Sequence, residues 1–279
     1  MEPTAAEVAE ADRQFSEWMR ANLARAAEHF GVTVTGEPVF GWRLRSISAP
    51  AASPDGHRWL RVVSEQVQWA EGDWWTGNAD ANAITGIRKP RVLDVVEWEV
   101  PGVRRQRAEL MTYVPGRRCS DTDVLRAEVD LPAEWWGELR RSLDVLRATP
   151  TTRIRKDAPG IRKAVHDALG LSIEVAEWET VHGDLHWANL LQPELGVLDW
   201  ELWGRGPVGT DAASLYCYSL LSPRTAATVR AAFADVLDTP TGTTALLYVA
   251  ARLLRRTSMG DHPELASQLH RLVDELTQQ

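Results

Sequence analysis

Four polar residues, His182, Asp184, Asn189 and Asp199, stand in a stretch that is otherwise apolar or turn-forming, from Val181 to Glu201. The pairs Leu190-Leu191 and Val197-Leu198 flank Gln192-Pro193-Glu194-Leu195-Gly196 and predict a hairpin. Its open end would bring Asn189, just before the first strand, beside Asp199, just after the second. An amide oxygen and a carboxylate placed there make a hard, oxygen-rich site suited to magnesium. Asp184 lies on the loop leading in, where a carboxylate can take a proton from a hydroxyl. A positioned base beside metal electrostatics is the equipment of phosphoryl transfer. A lone His-Asp pair is ordinarily a satisfied loop contact, so the reading rests on all the elements occurring in order.

The residues HGDLHWAN at 182–189 and LDWE at 198–201 resemble the aminoglycoside phosphotransferase family. That family is the small-molecule branch of the protein-kinase-like fold. The resemblance implies that Asp184 is the catalytic base and that Asn189 and Asp199 bind the metal. Gly206-Pro-Val-Gly-Thr-Asp211-Ala-Ala is similar to the family's G-x-P-x-x-D-L-A segment, whose Asp braces the catalytic loop. Asp211 is therefore expected to support the loop, together with His182. The role of His186 stays open.

Nearer the N-terminus the match thins. Arg58-Trp-Leu-Arg61-Val-Val resembles the strand that carries the phosphate-gripping lysine, with Arg61 in that place. Arginine can bind phosphate bidentately, but it is not geometrically equivalent to lysine. Counting back from Lys89-Pro90-Arg91-Val92-Leu93 puts the lysine's acidic partner near Gly77-Asn78, where no acid stands. Glu71, Asp73 and Asp80 are the nearby alternatives. No Gly-x-Gly-x-x-Gly loop precedes the strand, and Gly36 to Gly41 is a poor substitute. Glu109 to Gly116 resembles the family's hinge, which implies purine recognition by the Thr112 carbonyl and the Val114 amide. Backbone groups leave ATP and GTP equally open.

These residues need elements to hold them. Thr4-x-x-Glu7 is a capping box and Gly31 a stop, so a helix is expected between them. Short β-like runs follow at 41–47, 58–63, 92–98 and 107–113, with a turn-rich break at 51–56 and a helix near 73–86. Beyond Val114-Pro115-Gly116 helices are expected at 133–148, 160–169, 242–257 and 263–277. One more should run from Ser222-Pro223 to Leu237. The fold class is α+β, a two-lobe protein-kinase-like fold. Its β-rich N-terminal lobe is expected over 1–114 and its mainly helical C-terminal lobe over 115–279.

Composition bounds the function. A chain of 279 residues, 44% hydrophobic and with net charge −8, has ample material for a core and no basic surface for nucleic acid. No apolar run is long enough for a membrane span, and the acidic N-terminus lacks the apolar segment of a secretory signal. Two cysteines cannot build a disulfide framework, so a cytoplasmic location fits. The thirteen tryptophans are expected to serve mostly as core. The expected function is transfer of the γ-phosphate of ATP or GTP, with Mg2+, to a hydroxyl of a small molecule. An antibiotic or secondary-metabolite intermediate is the acceptor implied by resemblance. The competing reading is a catalytically weak or inactive kinase-like nucleotide-binding module, favoured by the missing acid and glycine loop. From residue 115 on, acids outnumber bases 23 to 18. That balance, with Glu201, Asp261 and Glu264 as candidate contacts, points to a cationic or neutral acceptor.

Overall fold

The computed structural model describes residues 4–278. They fall into two compact units. One takes in the residues up to Asn82 and Pro90–Pro115, the other Ala83–Lys89 and the residues from Gly116 onward. The segment 83–89 belongs with the second unit because hydrogen bonds tie it there. Val197 donates its amide to the Arg88 carbonyl at 2.9 Å, and the Arg88 guanidinium reaches the carbonyls of Glu194 and Leu195 at 3.3 and 3.2 Å.

The first unit opens with α1 (Ala5–Phe30), whose capping box forms as the spacing predicts and whose end at Gly31 is left-handed, with φ 63°. Next come β1 (Thr33–Val34), β2 (Val39–Phe40), β3 (Ser46–Ser53) and β4 (Gly56–Gln66), then α2 (Asp73–Asp80), β5 (Val92–Val100) and β6 (Arg104–Thr112). The sheet is antiparallel in the order β1-β3-β4-β6-β5, with β2 also on β3. The period-two alternation of β4 sends Leu60 and Val62 into one core with Met19, Leu23 and Ala26 of α1. On its opposite face Val63 packs with Ala70 and Trp75. Two details differ from the sequence reading. The 51–56 break is tighter, because Ala51 to Ser53 extend β3. The run 41–47 begins as a short 3-10 turn at Trp42–Leu44, in which Arg43 has φ 50°.

In the second unit β7 (Arg117–Arg118) precedes α3 (Ala133–Ala148), α4 (Ala158–Leu169), β8 (Trp178–Val181), β9 (Leu191–Gln192) and β10 (Gly204–Pro207). Five helices follow: α5 (Thr210–Tyr218), α6 (Pro223–Ala232), α7 (Ala234–Leu237), α8 (Pro240–Ser258) and α9 (Ala266–Thr277). Residues 245–251 of α8 are buried without a break, as expected of a helix hydrophobic on all sides. Ile161 and Val165 of α4 pack on its Leu247, Tyr248 and Ala251. The helix expected from 223 to 237 is broken at Phe233. Ser222 does not cap it; its hydroxyl donates to the Leu125 carbonyl at 3.0 Å. The sequence reading missed α5, because eight of its nine residues are buried and no amphipathic period marks it. No described helix is long and apolar enough to cross a membrane. Trp75, Trp135, Trp187, Trp200 and Trp203 are buried, whereas Trp42 and Trp69 are exposed.

Candidate active site

In the second unit β8 pairs antiparallel with β10 and delivers the chain into His182-Gly183-Asp184. Asp211, in the first turn of α5, receives the amides of His182 and Gly183 on its two carboxylate oxygens at 2.7 and 3.0 Å. Burial pushes the Asp211 carboxyl up, against the pull of His182 and the two amides. Gly183 has φ 80°, and a Cβ there would meet the Leu202 carbonyl oxygen at 2.5 Å, so only glycine fits. The His182 ring is fully buried, lies edge-on to Trp200 and places Nε2 2.9 Å from the Leu198 carbonyl. Burial pushes its pKa down, which favours the neutral ring. His182 thereby ties the approach to Asp184 to the residue before Asp199.

The predicted hairpin is present. Leu191 donates to the Gly196 carbonyl at 2.9 Å, Leu190 bridges Val197, and Leu198 donates to the Asn189 carbonyl at 2.8 Å. Trp135 Nε1 fixes its outer edge through the Leu191 carbonyl at 2.9 Å. Asn189 and Asp199 therefore sit at the open end, as their spacing requires. The Asn189 amide nitrogen donates to the Asp184 carbonyl at 3.1 Å and lies 3.1 Å from His186 Nε2. Its oxygen is thus the donor atom left for a ligand. Asp199 is left-handed, with φ 57°, a conformation that Asp tolerates better than most residues. Among the described residues no three His, Cys, Asp or Glu side chains gather as a self-sufficient metal cage. One amide oxygen and one carboxylate instead fit magnesium, which keeps waters and takes further oxygens from phosphates.

Asp184 is half-buried, and His186 Nε2 stands 3.7 Å from its Oδ2 and 3.7 Å from Asp123 Oδ1. Burial pushes the Asp184 carboxyl up, but His186, Arg252 and Arg155 outweigh it and hold the group well below the usual carboxylate range. Arg252 is anchored to the Gly183 carbonyl at 2.9 Å and to Ser214 Oγ at 3.1 Å. The arrangement offers an ionised carboxylate that can accept a proton from a hydroxyl or orient one.

Of the acids expected to meet an acceptor, Glu201 is buried at 6% exposure, Asp261 is paired with Arg256 at 3.1 Å, and Glu264 with Arg126 at 2.5 Å.

In the first unit Arg61, 9% exposed, meets an acid after all. It is Glu109, its cross-strand partner on β6, at 3.6 Å. Asn78 of α2 donates to Glu109 Oε2 at 2.9 Å, and Arg107 Nε meets Oε1 at 3.0 Å. Arg107 also bonds Glu97 at 2.7 Å, and Trp75 Nε1 donates to the same Glu97 oxygen at 2.9 Å. Glu109 is 1% exposed, so this is a buried, multiply bonded carboxylate. The sequence signal was opposite charge on two strands, legible only once their register is known. Thr112 ends β6 and its hydroxyl accepts from Arg91 N at 2.9 Å. The Val114 amide, beyond the strand, has no hydrogen-bond partner among the described residues.

Comparison with known proteins gives a consistent picture. The model of the phosphotransferase enzyme family matches residues 42–247. No curated protein sequence matches the chain. Among solved structures, the chain is similar to a thermostable mutant of aminoglycoside phosphotransferase APH(4)-Ia in ternary complex with AMP-PNP and hygromycin B. The TM-score is 0.62 at 14% identity, over 91% of this chain and 97% of that one. It is also similar to amicoumacin kinase hAmiN in complex with AMP-PNP, Ca2+ and Ami, at TM-score 0.57, 13% identity and 92% of each chain. A choline/ethanolamine kinase family protein from Mesorhizobium loti matches at TM-score 0.55 and 14% identity, over 95% of each chain. At these identities the structures speak to the fold alone, which is kinase-like with an antiparallel sheet and a helical part.

Proposed function

The chain belongs to the phosphotransferase enzyme family, and from that premise we propose that it moves the γ-phosphate of ATP or GTP to a hydroxyl of a small molecule. An antibiotic or a secondary-metabolite intermediate is the first acceptor class to try. The observation that carries the reading is the shared hairpin end. Asn189, Asp199 and the Asp184 loop are interlocked there by the Asn189–Asp184 and Leu198–Asn189 hydrogen bonds. Asp184, kept ionised by His186, Arg252 and Arg155, orients the acceptor hydroxyl and receives its proton. Asn189 Oδ1 and the Asp199 carboxylate hold Mg2+, which when bound supplies positive charge to the phosphate oxygens. Arg61, braced by Glu109, grips nucleotide phosphate, and the Thr112 carbonyl and Val114 amide meet the purine. Relatives of this fold crystallised with AMP-PNP, one of them with Ca2+, support a nucleotide and a divalent cation as co-substrates here. The absent helix acid and glycine loop favoured an inactive module; the pairing of Arg61 with Glu109 supports the active reading.

A cytoplasmic site of action suits an enzyme that consumes nucleotide. Cys119 and Cys217 are free and buried, and burial pushes both thiols up to about 12. The test is nucleotide consumption across a panel of hydroxylated compounds with Mg2+. Acceptor-dependent turnover lost in Asp184→Asn is expected; turnover equal in wild type and variant would sink the assignment.

A further inference from the structure

Resting on the phosphotransferase reading, the strongest unassigned feature is an aromatic patch on the sheet face that carries Arg61. Leu60 and Val62 of β4 point into the core with α1, so Trp59 and Arg61 share the opposite face with Val63. Strand register extends that face across the sheet. Trp59 lies between Pro50 of β3 and Met111 of β6, and Arg61 faces Glu109. Tyr113 follows Met111 by two residues, and its ring centroid is 6.4 Å from that of Trp59, with the planes tilted by 36°.

The face therefore changes character along β4. At Arg61 it is charged and buried, with Glu109 bonded by Asn78 and Arg107 as well. Two residues away, about 7 Å along the strand, it is aromatic and open. Trp59 is half-buried and Tyr113 is 38% exposed; neither packs in the α1 core or in the Val63 cluster. An indole presents a large apolar area, so leaving it open forgoes stabilisation unless a ligand covers it. A ligand that spans both positions carries a flat ring at one end and an anionic group at the other, which is the build of a nucleotide. The Thr112 carbonyl and the Val114 amide, which meet the purine edge in that reading, flank Tyr113 along the chain.

We propose that Trp59 is the surface on which the base of the donor nucleotide stacks, and that it selects the donor by ring size. Stacking uses the π-face that every base has, so it does not distinguish adenine from guanine. A purine covers more of the indole than a pyrimidine and buries more apolar area. ATP and GTP are therefore both used, and CTP poorly.

The affinities of the full chain for ATP, GTP and CTP with Mg2+ are measured by isothermal titration calorimetry, which needs no acceptor. ATP and GTP should bind within about threefold of each other and CTP at least about tenfold more weakly. Trp59→Ala should weaken ATP roughly 5- to 150-fold, the change that corresponds to one stacked base, and shrink its preference over CTP to within about threefold. Trp59→Leu keeps apolar bulk on the strand and should behave like the alanine variant. Trp59→Phe keeps a ring and should retain most of the affinity and the preference. Equal losses for ATP and CTP would make Trp59 a structural residue and overturn the proposal. So would unchanged or tighter ATP binding in the variants, CTP bound as well as ATP by the wild type, or no nucleotide bound at all. A difference between ATP and GTP as large as that expected for CTP would also overturn it. Failure of the phosphotransferase reading is distinct: the purine preference would still depend on Trp59, yet no hydroxylated compound would be phosphorylated.

Discussion

The candidate catalytic loop and the candidate Arg61 clamp both hold charge in place, but they are built over different spans of chain. In the loop, His182, Gly183, Asp184, Asn189, Leu198 and Asp211 contact one another, and the longest hydrogen-bonded separation is 29 residues. In the clamp, Asn78 meets Glu109 across 31 residues and Arg61 meets it across a longer span still, through a sheet whose register decides who faces whom. A local assembly constrains residue order and spacing, so its chemistry can be read along the chain. A cross-strand assembly constrains only the pairing, so an acid can come from any strand that lies alongside. Asn78, near the position where the helix acid is expected, donates to Glu109.

The largest effects should come from the loop. Asp184→Asn is expected to lower kcat by about 10²- to 10⁴-fold while leaving nucleotide affinity near wild type. Parallel loss of nucleotide binding would turn Asp184 into a scaffold residue and erase the contrast with the clamp. Asp199→Asn should abolish metal-dependent turnover with circular dichroism unchanged, and wild-type activity with Mg2+ would refute its role.

The clamp should respond in binding rather than chemistry. Glu109→Gln leaves Arg61 and Arg107 underpaired in a buried setting, a change expected to cost about 3 kcal/mol in denaturant unfolding. The nucleotide KM should rise more than kcat falls. Adding Asn78→Asp returns one negative charge to the same network and should recover part of both losses. A double variant no better than Glu109→Gln would mean that the strand position, and not the charge, is what Arg61 requires.

Gly183→Ala probes the loop without touching a charge. Its positive φ and the 2.5 Å approach to the Leu202 carbonyl predict a loss of roughly 1–3 kcal/mol, seen as a lower Tm. A neutral outcome would show that the loop can relax and is less rigid than its hydrogen bonds suggest.

The smallest expected effect is a pH slope. His182 is buried with its folded pKa below the unfolded value of about 6.5, so its contribution to stability is present above that pH and lost as pH falls toward the folded pKa. Unfolding free energy should decline between pH 7.5 and 5.5 by at most about 1.4 kcal/mol per pH unit from this one group. The decline should be shallower in His182→Gln. An unchanged slope would assign the pH dependence to other groups.

The same distinction governs what was legible elsewhere. Local signals sufficed for α1, with its Thr4–Glu7 box, for α3 and for the 190–198 hairpin, because caps, periodicity and turn residues act within a few positions. They failed for α5, whose burial on almost every side erases periodicity, and at Phe233, where the chain breaks inside an apparently continuous helical pattern. Counting acids likewise cannot tell that Asp261 and Glu264 are paired with Arg256 and Arg126.

The sequence by itself determined the α+β class and the phosphotransferase family, and it singled out Asp184, Asn189 and Asp199 as candidates, because such chemistry requires particular residue types at short, ordered separations. Tertiary structure alone decided that Arg61 is held by Glu109 and that Asp211 receives two loop amides. Those relations depend on strand register and helix packing, which bring together residues whose separation along the chain carries no information about their distance in space.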